Sequence, residues 1–402
     1  MNDIVNGIYE SWFSKDYPKN WNISRVKDLI SIIRKEKNKY ENTPVLSLTI
    51  DGVKLKKHLN EGMNPETYIG HQLVYPGDFV ICLRDLDGPL LVGISEYYGC
   101  TSNLYLVLQF SNHNLEYYNY VFKTMDFLRV IDDFSYGMRH SYNISQFGQL
   151  RLPEPKLHIQ SIIVEKLNFE VEKIDKLIDN QQQQIEKLKE YKQSLISEVV
   201  TKGLDPNVDF KDSGVDWIGK IPINWDIIRL KDLATNTTEK NEDENLQYIG
   251  LENIISKSFD FIETDNFYNP KDGIFAPENS VLFGKLRPYL AKSFYCENDL
   301  SCSSEFAVFL FDNEITSKYF LFITQSYGFI DVINMSTYGT KMPRANIKFI
   351  NNLDIPLPSL EHQKLIVENL MAKVHKINSL IQYKTRKVEK LTEYKKSLIY
   401  EY

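Results

Sequence analysis

LRLPEPKLHIQSIIVEKL at residues 150–167 returns as LDIPLPSLEHQKLIVENL at residues 353–370, with nine of eighteen residues identical. Two further matches lie in the same order. YPKNWNISRVKDL (17–29) pairs with IPINWDIIRLKDL (221–233) at eight of thirteen, including Trp21 with Trp225 and Arg25 with Arg229, and EKLKEYKQSLISE (186–198) pairs with EKLTEYKKSLIYE (389–401) at ten of thirteen. Three collinear matches at an offset of about 203 residues make the chain two copies of one unit. Between them the copies diverge, keeping only faint echoes such as Tyr136-Gly137 with Tyr338-Gly339. A repeated frame with varied inserts suits two similar domains directed at different targets.

The frame is helical. From Leu157 to about Val199, and from Leu360 to about Glu401, there is no Gly or Pro, and Glu, Lys, Leu, Ile and Gln predominate, all compatible with helix. Apolar residues recur at steps of four and three: Ile163, Leu167, Val171, Ile174, Ile178, Ile185, Leu188 and Leu195 in the first copy, and Ile366, Leu370, Val374, Ile377, Ile381, Val388, Leu391 and Leu398 in the second. This is the spacing of a coiled-coil seam. Both copies interrupt it at matching polar positions, Gln181 with Lys384 and Lys192 with Lys395. Equivalent halves that meet isologously run antiparallel, so the expectation is one intramolecular helix pair, with a homodimeric coiled coil between chains as the alternative. The seam from residue 163 to 199 would be about 54 Å long at 1.5 Å per residue, a rigid spacer.

The inserts mix short strand-like runs (Phe79–Leu83, Leu104–Phe110, Val281–Gly284, Phe306–Phe311) with turns such as Pro76-Gly77-Asp78, which predicts mixed α/β or α+β domains. The expected division is a first domain at 1–150, a helical region with linker at 151–210, a second domain at 211–352 and a distal helix at 353–402. With 402 residues, 43% of them apolar, the chain has material for more than one core. No leader peptide or apolar run of spanning length is visible, which favours an intracellular, cytoplasmic protein without a membrane partner. Cys82, Cys100, Cys296 and Cys302 form no metal or disulfide spacing and read as buried apolar residues.

No catalytic constellation stands out. Gly219-Lys220 and Gly284-Lys285 are not followed by Ser or Thr, so neither is a P-loop, and no G-x-G-x-x-G, H-E-x-x-H or G-x-S-x-G occurs. The tetrapeptide with two prolines and an aromatic that amino-methylating enzymes use is also missing; Asn269-Pro270-Lys271-Asp272 is the nearest. Together these gaps favour a binding subunit over an enzyme.

The repeat resembles the specificity subunit of type I DNA restriction-modification systems. KDSGVDWIGKIPINW (211–225) is similar to the opening of that family's second recognition domain, and IPLPSLEHQKLIVENL (355–370) and EYKQSLISEVVTKG (190–203) resemble its helical regions. The resemblance implies a non-catalytic protein with two target-recognition domains, each reading one half of a split sequence in double-stranded DNA, with the helices setting the gap. It implies two methyltransferase subunits, docked on the helices, that move methyl from S-adenosylmethionine to adenine N6, and up to two restriction subunits using ATP and Mg2+; this chain itself would hold no cofactor. Tyr191 and Tyr394, beside the seam, are the candidate docking residues.

Charge resists this picture in part. The chain carries 47 Lys and Arg against 54 Asp and Glu, and neither domain is basic overall, so DNA binding by the chain alone should be weak and salt-sensitive. Arg makes the commonest specific base contact, and the candidates for DNA contact are Arg84, Arg129, Arg139, His140, Lys285, Arg287, Tyr338, Lys341 and Arg344. A surface cation, or a brace at a domain junction, is the competing role for each. The first helix copy continues through Val200-Thr201-Lys202-Gly203-Leu204, whereas the second stops at Tyr402; in a circular arrangement Asn2 to Tyr17 would complete that end. A coiled-coil scaffold binding proteins alone remains the alternative function.

Overall fold

The fold is described from a computed structural model. It describes residues 18, 20–33, 36–56, 65, 67–84, 88–110, 112–128, 144–264, 268–339 and 342–402. The chain separates into two compact units: Met1–Asn180 with Val388–Tyr402, and Gln181–Lys387. It is mixed α/β, as its alternating runs predict.

In the first unit, strand Asn22–Arg25 pairs antiparallel with Arg151–Glu154, Arg25 opposite Arg151. These are the repeated stretches, so the shared sequence at both ends of the insert closes it. An antiparallel four-stranded sheet follows in the order Ile30–Ile33, Tyr105–Phe110, Phe79–Cys82 and Val92–Ile94. Both faces of its third strand are covered. Phe79 and Ile81 join a core with Phe110, Tyr118 and Phe122, while Val80 joins Leu46, Leu48 and Val107. The helices here are α1 (Val26–Leu29), α2 (Leu115–Phe127), α3 (Ile144–Gln149) and the start of α4 (Leu157–Lys202). Asn114 caps α2 by accepting from the N–H groups of Glu116 and Tyr117, as short polar side chains do at helix starts.

The second unit has the same order of parts. Strand Asp226–Arg229 pairs antiparallel with Asp354–Leu357, and a four-stranded sheet runs Ala234–Thr237, Phe306–Phe311, Val281–Gly284, Ser293–Tyr295. Again the third strand is covered twice, Val281 and Phe283 in one core and Leu282 in another with Cys296 and Cys302. A three-stranded sheet of Tyr248–Ile249, Leu300–Cys302 and Ile274–Ala276 backs the second core. The helices are α5 (Glu314–Ile323), α6 (Tyr327–Met335), α7 (Ile347–Asn351) and α8 (Leu360–Glu401).

Helices α4 and α8 have 46 and 42 residues, and each contributes to both units. In the first unit Lys395 Nζ donates to both carboxylate oxygens of Asp175 at 2.6 and 2.8 Å, and Lys166 sits over the Tyr402 ring. In the second, Lys384 Nζ donates to Gln181 at 3.3 Å and to Gln184, and Lys192 Nζ to Asn378 at 3.0 Å. Within each unit, numbers rise on α4 as they fall on α8, so the pair is antiparallel. All sixteen apolar seam positions are buried or half-buried. The polar interruptions bond to one another or to flanking polar residues, which satisfies groups that would be costly to bury alone. No helix of the described residues is long and apolar enough to cross a membrane.

Candidate nucleic-acid interface

In the second unit the chain brings four of the candidates together on three stitched segments. Strand Val281–Gly284 runs into Lys285, Leu286 and Arg287; Lys285 N–H donates to Glu305 O at 2.8 Å, and Ala345 N–H to Lys285 O at 2.8 Å. Arg287 N–H donates to Pro343 O at 2.8 Å. Tyr338 and Arg344 exchange backbone hydrogen bonds at 3.1 and 3.4 Å, which closes the loop between them. Segments that are remote in sequence thus hold Lys285, Arg287, Tyr338 and Arg344 in one network.

The backbone there is constrained. Arg287 has φ 51 and Ala291 φ 45, the left-handed region, on either side of the short turn Pro288–Leu290. Non-glycine residues in that region cost of order 1–3 kcal/mol and are kept where the surroundings enforce them. The bend leaves Arg287 exposed, with Tyr289 44%, Tyr338 62% and Met342 57% exposed nearby.

Arg344 Nη2 donates to Glu305 Oε1 at 2.7 Å, the Arg side chain 44% exposed and the Glu 26%. The second carboxylate oxygen of Glu305 is buried and has no hydrogen-bond partner among the described residues. Burial lowers the pKa of Lys285, with Glu305 opposing that shift and Arg344 adding to it. Buried Cys302, in turn, is pushed up to about 12. The surface therefore offers an arginine fork held by a carboxylate, a second exposed arginine and tyrosine rings. Such groups contact phosphates, base edges and base faces.

Elsewhere the candidates are more scattered. Arg84 is exposed and lies two residues past strand Phe79–Cys82, whereas Lys285 directly follows Val281–Gly284. Arg129, Arg139, His140 and the Tyr136-Gly137 pair lie outside the described residues, as do Lys341 and the segment Asn2 to Tyr17. On the long helices Tyr191 and Tyr394 are each 56% exposed. Among the described residues no group of three or more His, Cys, Asp or Glu is placed to hold a metal ion.

The sequence reading missed two features. One is Glu305, which had no signal beyond its place just after Cys302-Ser303-Ser304. The other is the glutamine shared by both repeats. Gln160 and Gln363, 1% and 2% exposed, donate from Nε2 to Pro155 O at 2.9 Å and Pro358 O at 2.8 Å, tying each long helix to the P-x-P before it. Their identity in both copies was the available clue.

The fold is mixed α/β, with two long helices paired within each unit. Residues 222–390 match the family model of the type I restriction modification DNA specificity domain. Over 427 aligned positions the chain is 24% identical to the putative type I restriction enzyme MjaX specificity subunit of Methanocaldococcus jannaschii, covering 96% of this chain and 93% of that protein. It is 27% identical over 272 positions to the type I restriction enzyme MjaVIII specificity subunit of the same organism, a match spanning 63% of this chain and 61% of that relative. A solved chain from work described as the structural basis underlying complex assembly and conformational transition of the type I R-M system shares the fold, with TM-score 0.68 at 14% identity over 96% of this chain and 98% of that one. The family match thus covers residues 222–390, and the similarity to specificity subunits extends over nearly the whole chain.

Proposed function

We propose that this chain is the DNA-recognition subunit of a type I restriction-modification complex, each globular domain reading one half of a bipartite duplex target. The domains are 1–150 and 211–352; the helical stretches 151–210 and 353–402 set the spacing and dock the methyltransferase subunits, with Tyr191 and Tyr394 in exposed positions for that contact. The observation that carries this reading is the network of Lys285, Arg287, Tyr338 and Arg344 inside a segment matched to a DNA specificity domain. Domains held apart by a rigid pair engage two half-sites on one face of a duplex when their centres lie about one helical turn, 34 to 36 Å, apart. Recognition is this chain's contribution; methyl transfer, and ATP-driven cleavage where restriction subunits join, belong to the partners, two of each.

Because acidic residues outnumber basic ones, non-specific affinity should stay low and partners should supply much of the phosphate neutralisation. The test is a map of N6-methyladenine in cells making this chain with its methyltransferase partner, beside cells lacking only this chain. A split motif that vanishes without the chain supports the reading, and exchanging residues 20–150 should then alter one half of the motif. Identical maps with both proteins present and soluble would refute it and favour a scaffold that binds proteins alone.

A further inference from the structure

We infer that Glu305 is a positioning residue that turns Arg344 from a phosphate-binding cation into a reader of guanine in the half-site taken by the second domain. The inference rests on the DNA-recognition reading above. It starts from an asymmetry within one small network. Arg287 projects from a left-handed bend, is exposed and makes no ion pair among the described residues, whereas Arg344 is held from two directions. Its backbone is bonded both ways to Tyr338 and bridges Leu286, and its Nη2 donates to Glu305 at 2.7 Å.

Glu305 is itself fixed. Its carbonyl accepts from Lys285, its own N–H donates to Ser303 Oγ at 3.2 Å, and its carboxylate is mostly buried against the network. A guanidinium is a planar fork whose value in recognition lies in a fixed plane. One donor tied to a fixed carboxylate sets that plane, and the side chain, 44% exposed as a whole, keeps donors to spare.

The carboxylate also changes which contact is favoured. A lone Arg on a surface gains from any phosphate, because that contact is largely charge against charge. With Glu305 at hydrogen-bond distance the local charge is offset, so attraction to phosphate falls. Hydrogen bonding to guanine N7 and O6 depends on donor geometry and survives. Glu305 thus trades non-specific affinity for discrimination, in a chain whose acidic balance points the same way. Arg287, by contrast, suits the backbone.

The test uses the assembled complex of this chain with its methyltransferase subunits. Glu305→Gln keeps the shape and one acceptor oxygen but removes the charge. The expected result is tighter binding to scrambled duplex, with a salt dependence steeper by about one counterion. Preference for the correct second half-site should fall about tenfold, a loss within the range of one bidentate base contact. The methylation map should relax at one guanine position of that half only. Arg344→Lys should relax the same position without raising non-specific binding, and Arg287→Ala should weaken binding to all sequences alike. The first half-site, read by the other domain, is the internal control for folding. If wild-type methylation is sequence-specific and Glu305→Gln changes neither discrimination nor salt slope, the role assigned to Glu305 is wrong while the recognition reading stands. If wild-type methylation shows no sequence preference at all, the recognition reading itself fails.

Discussion

Lys192 and Lys395 occupy equivalent places in the two copies, yet replacing each by methionine should move stability in opposite directions. Lys192 is 8% exposed, and its ammonium meets a neutral partner, Asn378, at 3.0 Å. Its pKa is lowered by burial first; Asp260 works against that shift and Lys189 with it. Lys395 grips both oxygens of Asp175, and the two side chains are 30% and 46% exposed.

Removing the first charge discards a hydrogen bond to a charged group, about 1.5–3 kcal/mol, but also a desolvation cost of several kcal/mol for a buried ion. Methionine has similar length and a flexible apolar chain that fills a seam position. Lys192→Met should therefore stabilise by about 1 kcal/mol, at the low end for replacing buried charge with an apolar side chain. Lys395→Met should lose up to about 1 kcal/mol, the worth of a partly exposed ion pair. For a unit of this size each kcal/mol moves Tm by about 2–4 °C.

The pH dependence separates the causes. A lysine whose pKa is lower folded than unfolded makes the unfolded chain the better proton binder, so wild-type stability gains from that site as pH climbs from the folded pKa toward 10.5. Lys192→Met should lack that gain. Thermal unfolding of both variants at pH 7.5 and 9.5 is the assay. Equal shifts of the same sign at the two sites would refute the view that partner and burial, rather than seam position, set the energetics.

Three other outcomes follow from local geometry. Gly203 ends α4 at φ 77, and a Cβ there would lie 3.1 Å from the Trp225 ring, so Gly203→Ala should cost about 2 kcal/mol by thermal unfolding, through backbone strain and that contact. Gln160 Oε1 also accepts from Asn114 N–H at 2.9 Å, whereas Gln363 Oε1 is buried without a partner among the described residues; Gln160→Leu should cost about 2 kcal/mol and Gln363→Leu less than about 1 kcal/mol, measured in urea. Buried Cys296 and Cys302 have thiols pushed up to about 12, and Cys100 is buried as well; with native protein at pH 8 a thiol reagent should label half-buried Cys82 first and the other three only after denaturation. Rapid native labelling of Cys302 would refute that protection.

The helices were legible because their signal is local. A run without Gly or Pro, with apolar steps of four and three, needs no distant partner to be recognised. Their antiparallel sense was also legible, since the same polar breaks occur at matching places in both copies. The strands Phe79–Cys82, Tyr105–Phe110, Val281–Gly284 and Phe306–Phe311 stood out as apolar runs between turn residues. Their order did not, because Ile30–Ile33 pairs with Tyr105–Phe110 across about seventy intervening residues, and nothing local encodes such a partner. The site was least legible. The chemistry of Lys285 and Arg344 is visible in the sequence, but the bonds that join them pass through Ala345 and Glu305, whose roles exist only in three dimensions.

The seam contacts show how one repeated frame can carry two unequal domains. Asp175 and Asn378 are equivalent in the repeat, as are Lys192 and Lys395, and each lysine reaches across to the other copy's acidic or amide position. Gln181 and Lys384 are equivalent to each other and bond directly. Register is therefore fixed by polar groups that are satisfied in one alignment: sliding α8 by one turn would part Lys395 from Asp175 and Lys192 from Asn378. A buried polar residue costs stability wherever it sits and returns specificity of register when its partner is unique. With register held by the helices, the inserts between them are free to change sequence, provided that each keeps its closing strand pair, Asn22–Arg25 with Arg151–Glu154 or Asp226–Arg229 with Asp354–Leu357. That division of labour accounts for repeats that agree at their edges and differ in their interiors.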